Sequence, residues 1–185
     1  MHWVLERIIV GRADRQTIAK YAVGPDRFLG VGLMLCAALL GLGVTQPLVT
    51  SGGFMGLQGQ YSLLALMAEF FKSGRGGLAL SLAVLLVLLP VVLLSTAFDI
   101  WYKYELASDK FLRKSALLRH LARAILLVLA LLIGALVFVG QQAAITLHLA
   151  AYYLVITLAL QRLAAARLQP LLNAVQFVEE DKLRF

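Results

Sequence analysis

Residues 78–98, LALSLAVLLVLLPVVLLSTAF, run for 21 positions without a charge. As a helix rising about 1.5 Å per residue, the run is ~31 Å long and matches the hydrocarbon core of a bilayer. Asp99 ends it. Phe98, Trp101, Tyr102 and Tyr104 stand around that end as an interfacial aromatic belt. Pro90 sits in the middle of the run. Its ring removes one backbone N–H and frees the carbonyl of Leu86, which predicts a helix kink at Pro90. In lipid that carbonyl needs a partner from a neighbouring helix, a hydroxyl or local rewinding. Composition agrees with a membrane chain: of 185 residues, 61% are hydrophobic and only 15% charged.

Three further apolar runs, 28–48, 117–139 and 143–160, complete the pattern. The expected fold class is all-α: an integral membrane four-helix bundle within one domain, 28–160, carrying an external interfacial amphipathic helix. Residues 1–27 precede it and are read as a short helix on the headgroups, with Gly24-Pro25-Asp26 as the turn into the first span. That first span carries Gly30, Gly32, Gly41 and Gly43, small residues that let membrane helices pack closely. Asp99 with Lys103, and Asp109 with Arg113, stand at i,i+4 with the acid first, which predicts helical extensions of the second and third spans. Gln161 opens an arginine-containing helix end, and residues 161–185 form a tail in which Pro170 is read as a break.

The loop between the first two spans holds two different stretches. TSGGFMGLQGQ is glycine-rich and turn-like. SLLALMAEFFKSG has helical period: Leu63, Leu64, Leu66, Met67, Phe70 and Phe71 fall on one arc, and Ala65, Ala68, Glu69 and Lys72 on the other. Ser62 is the expected N-cap and Gly74 the expected stop. This helix is too short to span and is expected in the outer interface. A second apolar stripe, Leu168, Leu171, Leu172, Val175 and Val178, lies in the tail. Both stripes are candidate contact surfaces for lipid or a partner protein.

The net charge is +7, and the Lys and Arg residues are confined to segments flanking the spans. Five lie in residues 1–27, six between 103 and 123 and four after 160, against two in the first loop and none in the 140–142 turn. The positive-inside rule then places both termini and the central loop in the cytoplasm. The charge orients the chain in a membrane, and no nucleic-acid partner is expected.

Bond chemistry lacks its parts. No nucleotide-binding, zinc-protease or nucleophile-elbow motif occurs. The single cysteine, Cys36, excludes disulfides and thiolate metal sites within the chain. His120 and His148 enter from opposite sides of the membrane and cannot share a haem iron. No ionisable residue sits at mid-depth, so a transporter site there is not expected. The expectation is a non-enzyme without cofactors or metals.

The run GLGVTQPLVTSGGF, continued by YSLLALMAEFFKSGRGGLALSLAVLLVLLPVVLL, resembles the membrane module of the paraquat-inducible protein A family. The shared features are the exit proline Pro47, Gly52 and Gly53 in the loop, Ser62-Leu63-Leu64 opening the amphipathic segment, and Pro90 in the second span. The resemblance covers about residues 30–95. The chain departs from the family in lacking a cysteine zinc ribbon, in carrying Arg119-His120-Leu121-Ala122 where a Gly-Lys-Trp-Ser signature stands, and in having one module. The resemblance implies a multi-pass bacterial inner-membrane protein working with membrane lipids and partner proteins, in lipid transport or envelope maintenance. The alternative is an accessory subunit of a larger membrane protein complex, such as an energy-converting one.

Overall fold

The computed structural model describes residues 17–22, 24–103 and 109–182, with side chains at these positions except 21, 109 and 173–182. Four helices are long and apolar enough to cross a membrane: Gly24–Thr45, Gly76–Tyr102, Lys110–Gly140 and Leu149–Leu172. The elements in chain order are α1 (Ile18–Tyr21), α2 (Leu29–Thr45), β1 (Pro47–Gly52), β2 (Gln58–Ser62), α3 (Leu63–Lys72), α4 (Gly76–Tyr102), α5 (Asp109–Gly140), β3 (Ile145–Leu147) and α6 (Leu149–Lys182).

Each long helix buries one row of side chains at i, i+3 or i+4 spacing, as period 3.6 requires. On α2 the row is Leu33, Cys36, Leu40 and Val44; on α5 it is Leu118, Ala122, Ile125, Val128 and Leu132. The opposite faces are also apolar. Leu35 and Leu42 on α2, Leu80 and Leu88 on α4, Leu127 and Leu131 on α5, and Ile156 and Leu163 on α6 are all exposed. Helices hydrophobic all round suit a lipid surround and not water. Between such helices the cohesion comes from close packing. Gly43 illustrates it: a Cβ there would lie 2.8 Å from the side chain of Leu154 on α6.

The first departure from the expected all-α fold is a three-stranded antiparallel sheet, ordered β2-β1-β3, at one end of the bundle. Pro47 cannot continue a helix and biases Gln46 to extended backbone, so α2 stops at Thr45 and not at Leu48. Gly53, at φ +119, lets the chain reverse after β1, and β2 returns with Thr50 opposite Gln60. Residues 145–147, expected inside the fourth span, instead pair with β1, Val49 opposite Leu147 and Ser51 opposite Ile145. The fourth helix therefore starts at Leu149 and not at Ala143.

Two further expectations are corrected. The helix does not break at Pro170, because α6 runs through it to Lys182. Leu168 and Leu172, on either side, are packed into the core and hold the helix across the lost N–H. Residues 17–22 do not lie free on headgroups: Ile18, Ala19 and Ala22 are buried in the core, and α1 packs on α4. The remainder of the N-terminal segment, 1–16, lies outside the described residues. The expected extension of the second and third spans is present, with Lys103 Nζ 4.0 Å from Asp99 Oδ1 and Lys114 Nζ, on α5, 3.8 Å from Asp99 Oδ2. The expected Asp109–Arg113 pair falls on a side chain outside the described set.

Candidate functional site

At the sheet end, α3 begins where Ser62 Oγ accepts a hydrogen bond from the Ala65 N–H at 3.2 Å, the cap its position called for. The six residues of its apolar arc divide into two sets. Leu63, Met67 and Phe70 are buried in the protein and Leu66 is half-buried, while Leu64 is 47% and Phe71 59% exposed. Leu63, Met67 and Phe70 are thus anchors and not open contact positions. The outward surface is Leu64 and Phe71. The surrounding cap is tied together by polar contacts. Arg75 Nη1 donates to the Met55 carbonyl at 2.9 Å, and His148 Nε2 is 2.7 Å from Thr50 Oγ1 across the sheet. That bond occupies His148, while His120 is exposed on α5.

At the other end, the described part of the candidate stripe in the tail packs inward. Leu168 and Leu172 are buried against the chain's own helices and Leu171 is half-buried. Val175 and Val178 lie outside the described side chains. Helices α2 and α4 meet here at Gly30. A Cβ on Gly30 would lie 2.8 Å from Trp101 Nε1 and would overlap the Tyr102 hydroxyl. Phe98 stacks on Tyr102 with ring centroids 6.2 Å apart.

Pro90 is buried and stands two residues past the end of a wide, π-wound stretch of α4, Ala83–Leu88. The Leu89 N–H reaches back to the carbonyl of Val84, five residues earlier. This is the local rewinding that a mid-span proline calls for, since a wider turn moves the ring away from the carbonyl behind it.

The middle of the bundle holds what the sequence reading missed. Thr157 and Gln161, one turn apart on α6, are both 0% exposed. Thr157 Oγ1 and both amide atoms of Gln161 have no hydrogen-bond partner in the protein. Seven residues along each antiparallel helix from the Gly43–Leu154 contact, ~10.5 Å, bring Cys36 and Gln161 to one level. Counting in from the Gly30–Trp101 contact brings Thr96 of α4 to within about a turn of the same level. Thr96 is buried as well and donates to its own Val92 carbonyl at 2.7 Å. Leaving a buried polar group unpaired costs about 1–3 kcal/mol. The signal was present in the sequence: Leu154, Leu158, Gln161, Ala165 and Leu168 share one helical row. With the fourth span ended at residue 160 Gln161 falls outside it, whereas the apolar helix Leu149–Leu172 carries it inside.

Among the described residues no group of three or more His, Cys, Asp or Glu side chains could hold a metal ion. No family model, no curated protein and no solved structure matches this chain.

Proposed function

We propose that this chain is a non-enzymatic four-span protein of a bacterial inner membrane, serving lipid transport or envelope maintenance together with partner proteins. Both termini lie in the cytoplasm on the positive-inside rule, and the sheet and α3 face outward. The resemblance of residues 30–95 to the paraquat-inducible protein A membrane module supports the lipid reading. The observation that carries it is the division of α3, a helix anchored through Leu63, Met67 and Phe70 that keeps Leu64 and Phe71 outward at the sheet end. An apolar edge held at that level is suited to touch acyl chains or the apolar part of a headgroup region. Deleting the protein should alter envelope lipid balance and raise detergent sensitivity. The wild-type chain should restore both, and Phe71→Lys should not. Unchanged lipid balance and detergent resistance in the deletion strain would rule the reading out.

One observation favours the alternative, an accessory subunit of a larger membrane complex. Helix α6 runs for 34 residues, Leu149–Lys182, longer than the ~20 residues that cross a hydrocarbon core. Such a rod is a place for another protein to dock. Loss of a co-purifying complex on truncation after Leu172, with lipid balance intact, would select this reading.

A further inference from the structure

Four helix hydroxyls of this protein share one habit. Thr45 donates to Gly41 at 2.7 Å, Ser81 to Leu78 at 2.9 Å, Thr96 to Val92 at 2.7 Å and Ser115 to Leu112 at 2.8 Å, each to a carbonyl of its own helix. Thr157 is as deeply buried as any of them and does not follow it. One turn further, Gln161 presents an amide with two N–H donors and one carbonyl acceptor, none of them used within the protein. Side chains at i and i+4 stand about 5–6 Å apart at Cβ, a span that one small molecule between them can bridge.

We propose that Thr157 and Gln161 form a water-binding site in the middle of the helical bundle. Three properties of the site select water. Donors and acceptors occur together, which suits a molecule that is both. The buried side chains at this level, Thr96, Thr157, Gln161 and Cys36, include no carboxylate or ammonium to hold an ion. Arg162 is half-buried and Arg123 exposed, so neither belongs to the fully buried layer. The pair is closed off from the outside of the bundle, so the occupant is small. A buried water typically makes about three hydrogen bonds to groups of this kind. The site is independent of what the outward face of α3 touches, and it stands whether or not the protein handles lipid.

Radiolytic hydroxyl-radical labelling reports bound water, because the radicals form where the water sits. The full chain in phospholipid nanodiscs, irradiated in isotope-labelled water, should incorporate label at Cys36 and Leu158 several-fold above lipid-facing Leu127 and Leu131. The Thr157→Val, Gln161→Leu double variant should lose that excess. No excess in the wild type, or one that survives in the double variant, overturns the site. A high-resolution structure of the wild-type chain in nanodiscs gives a second test that needs no variant. Water density within hydrogen-bonding distance of Gln161 and Thr157 supports the proposal. A lipid or detergent headgroup there, or both side chains bonded to protein with no density between them, overturns it.

Discussion

Gly30 and Gly32 are two residues apart in the same helix and look alike in sequence, yet only one has a neighbour within reach. The Cβ of an alanine at 30 would overlap the Tyr102 hydroxyl and crowd Trp101, whereas one at 32 meets nothing within 4 Å. Overpacking a close contact costs about 1–3 kcal/mol, while alanine at an open helical position gains up to ~1 kcal/mol over glycine. Gly30→Ala should therefore lower the melting temperature in detergent, and Gly32→Ala should hold or raise it. Equal responses would contradict the packing of α2 against α4. The small-residue composition announced close packing without saying which glycine does it, because that depends on which face α2 turns to α4. Gln161 is the converse case. Its helical row was readable, and only the misplaced end of the span concealed it.

Helix α3 shows how much an element's sequence discloses. Its limits, its Ser62 cap and its apolar arc follow from residues 62–74 alone. The division of that arc into anchors and outward residues does not, because it requires the bundle. Phe70 is 7% and Phe71 59% exposed. Phe70→Ala should therefore cost about 3–5 kcal/mol in a detergent unfolding titration, as for a buried aromatic. Phe71→Ala should change the same titration little. Comparable losses at both positions would mean that the helix is rotated. The sheet was illegible for a related reason. Its strands are short, and the partner of Val49 is Leu147, nearly a hundred residues away, so no local pattern announces the pairing. Two of the misplaced span ends, at Leu48 and Ala143, run into this sheet.

For the whole molecule, four apolar helices and their order were readable because lipid requires long uninterrupted runs with every backbone group paired inside the element. The orientation rests on charge alone. Reporter fusions at Phe185 and within the hairpin at Gly53 should report opposite sides, with Phe185 cytoplasmic. A periplasmic signal at Phe185 would invert the topology and remove α3 from the outer face. The central claim, an outward apolar edge that touches lipid, is tested most directly by photo-crosslinking in native membranes. A photoreactive residue replaces Leu64, Phe71 or Ala68 in turn, and adducts are identified by mass spectrometry. The account predicts phospholipid adducts at Leu64 and Phe71 and few at Ala68, on the polar side of the helix. Protein adducts without lipid at Leu64 and Phe71, or equal lipid capture at all three positions, would contradict it.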